Sequence, residues 1–167
     1  MIVIDSATIN ERESLDLRFV MSNSIEDIAD EPRYTGPDGN KYMRRIETEK
    51  MVYGDFMVFY AQRYFVPQGT RKKDYLAERN LERNYTKIIA PVSLQPEFMT
   101  EDQLSLYCII VHRSHHYTCY IKCGNNAWYY YNDIPGDIVY IGTYDDMISE
   151  DVKPNPLTEG VLYFYKN

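Results

Sequence analysis

Two aromatic runs separated by a glycine-bearing turn constrain this chain more than any other feature. His116-Tyr117-Thr118-Cys119-Tyr120-Ile121-Lys122 leads through Gly124-Asn125-Asn126 into Ala127-Trp128-Tyr129-Tyr130-Tyr131, and Asn132 and Asp133 follow. Aromatic and β-branched side chains fit a pleated, half-buried surface, and Gly/Asn turn chemistry lets two antiparallel strands close on each other. The segment is therefore expected to form a β-hairpin. His116 then stands at the open end of one strand, and Asn132 and Asp133 at the open end of the other.

The rest of the chain reads the same way. Seventeen tyrosines in 167 residues favour strands over helices. Asp55 to Tyr64 is a continuous apolar and aromatic run with Arg63 near its end, and Leu104 to Val111 is another; both are expected as buried strands. Thr86 to Ile89, Ile138 to Ile141 and Val161 to Tyr165 add shorter ones. Ser24-Ile25-Glu26-Asp27 reads as a capped helix start, with Ser24 as N-cap and Asp27 in the reciprocal position; Pro32 limits that helix to about two turns. Tyr34 to Asn40 is expected as a loop from its Pro37-Asp38-Gly39 chemistry, and Pro67 to Arg83 as a long charged excursion. The expectation is one α+β domain over residues 1–167, dominated by antiparallel sheet.

Composition excludes several function classes. A net charge of −7 and a pI near 5.0 argue against a nucleic-acid partner, which needs clustered Lys and Arg. Arg44-Arg45 and Arg71-Lys72-Lys73 are short and followed closely by acidic residues, as on a solvated face. No apolar run approaches the about 20 residues that span a membrane, and no secretory core is expected after Met1. Cys108, Cys119 and Cys123 are odd in number, which points to an intracellular, reducing compartment (cytoplasm or nucleus, or a particle assembled there) rather than a disulfide framework. None forms a C-x-x-C pair, so a structural zinc site is not expected; no cofactor is expected either.

Hairpin counting brings His116 to Asn132 and Asp133. If Lys122 pairs with Ala127, His116 faces Asp133; a slip of one residue puts it opposite Asn132, and the sequence leaves the register open. Either partner holds the imidazole in one tautomer, the third member's role in a nucleophile–base–orienter triad. The same residues also describe a surface histidine beside an Asx turn. No cysteine completes the set. Cys108 is about 13 Å from His112 at roughly 3.3 Å per residue, Cys119 points away from His116, and Cys123 sits at the far turn.

These segments resemble the histidine box of the ubiquitin-specific proteases, papain-like cysteine peptidases that cleave the isopeptide bond after the ubiquitin C-terminal glycine. The resemblance rests on 106–112, 116–122, 128–133 and 161–166, with 24–27, 55–65 and 86–92 similar to stretches upstream. It implies an antiparallel sheet like the C-terminal palm half of such an enzyme over residues 51–167, with a reduced fingers-like part over 1–50. It implies His116 as general base, Asn132 as its orienting residue, Asp133 in support beside it, and Tyr117 lining the ubiquitin-tail channel.

The chain departs from that family in lacking a cysteine box, a thumb lobe and zinc-binding cysteine pairs, and only Arg113-Ser114-His115 precedes the histidine. Two functions follow: an inactive module with a binding or structural role in a larger assembly, or the palm half of a split hydrolase completed by another chain. Other protein subunits are expected to cover the apolar palm face, and any ubiquitin affinity is expected to be weak.

Overall fold

The computed structural model describes residues 1–10, 13–26, 32–35, 41–43, 56–65, 81–95, 103–113 and 115–167. In chain order the elements are β1 (Ile2–Ile4), α1 (Ser6–Asn10), β2 (Ser14–Asp16), α2 (Leu17–Glu26), β3 (Pro32–Thr35), β4 (Lys41–Met43), β5 (Phe56–Ala61), β6 (Tyr64–Phe65) and β7 (Glu82–Arg83). There follow β8 (Lys87–Ile89), β9 (Ser93–Leu94), β10 (Leu104–Arg113), β11 (His116–Cys123), β12 (Ala127–Asn132), β13 (Asp137–Gly142), α3 (Tyr144–Met147), α4 (Pro156–Glu159) and β14 (Gly160–Lys166). The chain is thus a strand-dominated α+β protein, as its sequence leads one to expect.

An eight-stranded sheet organises it, in the order β1-β5-β14-β10-β11-β12-β13, with β9 also paired to β10. Every pairing in this sheet is antiparallel except that of β1, which runs parallel to β5 and makes the sheet mixed. Smaller pairs form between β2 and β8, β3 and β4, and β6 and β7.

One face of the large sheet is the core. Phe59, Ile109, Tyr120, Trp128, Tyr163 and Tyr165 project from it, and Ile9, Leu15, Leu17, Met21, Ile88 and Met147 pack onto them from the helices and the β2–β8 pair. Burying each such side chain contributes about 1.5–3 kcal/mol. The other face is also apolar, but open: Val3, Phe56, Tyr60, Tyr117, Tyr131, Ile138 and Tyr140 are exposed there. Strand alternation assigns them to that face, which lies away from the His116 side. Val139, of opposite parity, adds exposed apolar surface on the His116 side of β13.

The structure departs from expectation at four elements. Asp55 to Tyr64 is not one buried strand: β5 ends at Ala61, its burial alternates, and β6 begins at Tyr64. The break comes at Arg63, whose N–H turns back to Ala61 O at 2.9 Å while its side chain enters the interior. There Nε donates to Gly160 O (2.5 Å), Nη1 to Asn84 O (3.2 Å) and Thr86 O (2.9 Å), and Nη2 to Leu157 O (2.7 Å) and Tyr163 Oη (3.3 Å). A buried guanidinium is tolerated when all its donors are used.

Ser24 does not start a helix, because α2 already runs from Leu17 and Ser24 lies in its final turn. The start is set by Asp16, whose Oδ1 accepts from Arg18 N at 2.8 Å; the side-chain bond from Arg18 also holds this carboxyl below the usual carboxylate range. Asp27 lies outside the described residues. Tyr34 and Thr35 belong to β3 rather than to a loop, while the turn at 37–39 lies outside the described residues. Of the 67–83 excursion, 67–80 lies outside the described residues, and Glu82 and Arg83 form β7 against β6.

Candidate functional site at the open end of the β11–β12 hairpin

The hairpin turns in three residues. Gly124 (φ 58°) and Asn126 (φ 71°) both occupy the left-handed region, where glycine and asparagine are the tolerated residues, and Cys123 pairs directly with Ala127. Lys122 consequently pairs with Trp128, not Ala127, which shifts the register by one from the first expected pairing and away from the second. Continuing that count past the last pair, Cys119 with Tyr131, puts His116 opposite Ile134. Asn132 becomes its diagonal neighbour on the same face, within reach for side chains of this length.

The side chains meet there. His116 Nε2 is 2.7 Å from Asn132 Oδ1 and 3.3 Å from Asp133 Oδ1. The amide's orientation is settled by a second bond, because Ile134 N–H donates to the same Oδ1 at 3.1 Å and only a carbonyl oxygen can accept it. Nε2 must then carry the hydrogen it gives to Asn132, which leaves the Nδ1 lone pair free to take a proton. The imidazole is about one-third exposed, and Asp133 is open to solvent.

Its face of β11 is the buried one, carrying Thr118 and Tyr120. Arg113, the cross-strand partner of His116, lies 3.7 Å through its Nε from Glu159 Oε1. Glu159 is nearly buried, and its Oε2 accepts from Asn155 N at 2.8 Å.

Tyr117 occupies the other face. It is 60% exposed, and its ring stacks on His112 with centroids 4.3 Å apart. His112 in turn meets Tyr64 edge-on at 5.4 Å. Tyr117 therefore shares the strand end with His116 but not its face.

No cysteine reaches the imidazole. Cys108 pairs across from Ile121, five residues along β11 from His116, or about 16 Å at roughly 3.3 Å per residue. Cys119 points to the opposite face, and Cys123 sits exposed at the far turn. A hydrogen bond with Cys119 and burial push the Cys108 thiol up, and the same bond lowers the Cys119 thiol to about 7. That thiol is on the wrong face to exchange a proton with His116. Among the described residues no cluster of three His, Cys, Asp or Glu side chains is arranged to hold a metal ion, and no helix is long and apolar enough to cross a membrane.

Neither a family model nor a curated protein matches the chain. Solved structures do. The yeast SAGA DUBm carrying a mutant Sgf73 and the SAGA Ubp8/Sgf11/Sus1/Sgf73 DUB module each align over 67% of this chain at 16% identity with a TM-score of 0.45. The chain spans about a quarter of the length of the solved chains it matches, 24% and 23% respectively.

Sequence reasoning missed the Arg113–Glu159 contact and the short helix that positions it. The signal was present: Asn155 precedes Pro156, and the structure has Asn155 as N-cap, its side chain accepting from Leu157 N and Thr158 N, with proline in the first turn.

Proposed function

We propose that this chain is a ubiquitin-specific-protease-like module without hydrolytic activity of its own, acting by binding or as a structural part of a larger assembly. The observation that carries this reading is a histidine oriented as a base, Nε2 bonded to Asn132 and Nδ1 free, with no thiol in reach. Nucleophilic catalysis needs the nucleophile within about 3 Å of that nitrogen. In this reading His116 is the residue in the base position, Asn132 orients it, Asp133 supports it, and Tyr117 borders the path of a ubiquitin tail at the same strand end. The division into a fingers-like 1–50 and a palm-like 51–167 belongs to the same proposal.

A role in an assembly is supported by the open apolar face, since contiguous patches beyond a few hundred Å² usually mark an interface. A reducing compartment is supported by three free cysteines, two of them thiol neighbours. Ubiquitin affinity of the lone chain is expected to be weak, because an interface missing one of its surfaces leaves little surplus over the cost of association.

The test is incubation of the purified chain with a fluorogenic C-terminal ubiquitin substrate. No turnover above background is expected; turnover that disappears on His116→Ala would overturn the proposal. The geometry of His116 and Asn132 also favours a second reading, the palm half of a split hydrolase. Turnover that arises only when a separate cysteine-bearing lobe is added, and is lost on His116→Ala, would establish it.

A further inference from the structure

Strand β13 ends the large sheet. β12 pairs along one side of it, and among the described residues no strand pairs along the other. Edge strands present unpaired N–H and C=O groups that template another strand, so soluble proteins usually shorten, charge or cover them. β13 does the reverse. Ile138, Val139 and Tyr140 are three successive apolar residues, 69%, 47% and 63% exposed. Because strand residues alternate, this edge is apolar and open on both faces.

Charge is confined to the two ends of the strand. Asp133 and Asp137 precede or open it, Asp145 and Asp146 follow it, and all four are exposed. Thr143 donates to the Asp146 carboxylate through its backbone N–H (2.7 Å) and its hydroxyl (2.8 Å), which keeps that group ionised. No Lys or Arg occurs between Lys122 and Lys153. The edge is an apolar centre between two acidic ends.

We propose that the open edge of β13 receives an extended strand of a partner protein, apolar in the middle and flanked by Lys or Arg. Main-chain hydrogen bonds along the edge would hold it, alternate apolar side chains would pack on Ile138 and Tyr140 or on Val139, and its basic flanks would meet the aspartates. A second copy of this chain is the poorer occupant. Pairing β13 with itself brings acidic ends against acidic ends, between chains that each carry a net charge of −7. The inference deepens the binding-module reading and rests on it for the existence of a partner. Its test is separate, because it reads peptide binding along β13 and not turnover at His116.

The experiment titrates the purified chain with fluorescent peptides of the pattern Lys-Lys-Val-Thr-Val-Thr-Val-Lys-Lys, against matched peptides with Glu flanks or a central proline. The basic peptide is expected to bind at least about tenfold tighter than the acidic one, and to weaken about tenfold from about 0.1 M to about 1 M salt. Hydrogen-exchange protection should appear on 137–142. Val139→Lys alters an exposed side chain, so circular dichroism should be unchanged while the basic peptide no longer binds. Equal binding of both charge types, no binding by the basic peptides, or a dimer through β13 that Val139→Lys dissolves would each overturn the proposal.

Discussion

His116 and Asn132 are diagonal neighbours across the β11–β12 hairpin, joined by a 2.7 Å bond from the imidazole Nε2 to an amide oxygen that also accepts from Ile134 N–H. Two donors on one oxygen leave the asparagine a single orientation and the histidine a single neutral tautomer. A surface histidine free to rotate has neither constraint.

This predicts the protonation pattern of the ring. The neutral form of the His116 ring should show the Nε2–H tautomer alone in its ¹⁵N spectrum. Asn132→Ala should give a mixture of tautomers with little change in stability, since the imidazole is partly solvated. The same mixture in the unsubstituted chain would remove the oriented-base reading.

Arg63 should be the most costly single side chain to replace. Its guanidinium bonds four backbone carbonyls from segments up to 97 residues away, and also the Tyr163 hydroxyl. Arg63→Met leaves those buried acceptors unsatisfied, with an expected loss of about 3 kcal/mol or more. Arg63→Lys should recover little, because an ammonium cannot spread its donors as the guanidinium fork does. Urea denaturation gives both numbers, and a midpoint unmoved by Arg63→Met would contradict the clamp.

Gly160 gives a prediction in which the sign decides. Its φ of −63° suits any residue, so alanine there should stabilise the fold by about 0.4–1 kcal/mol if space allowed. Space does not allow it: an added methyl would collide with Pro156 O and the Tyr163 hydroxyl, which lie closer than real Cβ contacts permit. Gly160→Ala should therefore lower stability by about 1–3 kcal/mol. A raised denaturation midpoint would show that β14 and α4 are packed less tightly than described.

Three buried phenols and one half-buried phenol, Tyr144, set the alkaline limit. Tyr120, Tyr144, Tyr163 and Tyr165 donate to the carbonyls of Pro154 (2.7 Å), Ala90 (2.6 Å), Pro156 (3.2 Å) and Pro91 (2.9 Å). Burial pushes the Tyr144 phenol up to about 12 and raises the other three as well. The neutral phenol is the form the fold holds. The Tyr144 contribution is thus fully present below the ordinary tyrosine pKa of about 10 and lost as pH rises through about 12, and the other three carry the same sign. Phenolate absorbance and circular dichroism should change together near that upper value. Titration of these tyrosines at the ordinary pKa with the fold intact would contradict the burial.

The sequence by itself determined what depends on near neighbours. Alternating aromatic and β-branched residues specify strands by their fit to a pleat, and Gly124-Asn125-Asn126 specifies a turn because it supplies residues at ease with positive φ. His116 and Asn132 therefore had to end at the same hairpin mouth. Register was a tertiary decision: a turn of three residues instead of four is one residue's difference in loop length, invisible in composition, yet it converts facing partners into diagonal ones. Arg63 breaks a run that reads as one strand because its hydrogen-bond acceptors are carbonyls from Asn84 to Gly160, assembled only when those segments pack. The helix starts at Asp16 rather than Ser24 because the Asp16 carboxylate caps Arg18 N–H where β2, paired with β8, ends. Side-chain periodicity acts over two to four residues, while the clamp, the register and the open edge of β13 come from contacts across the folded sheet.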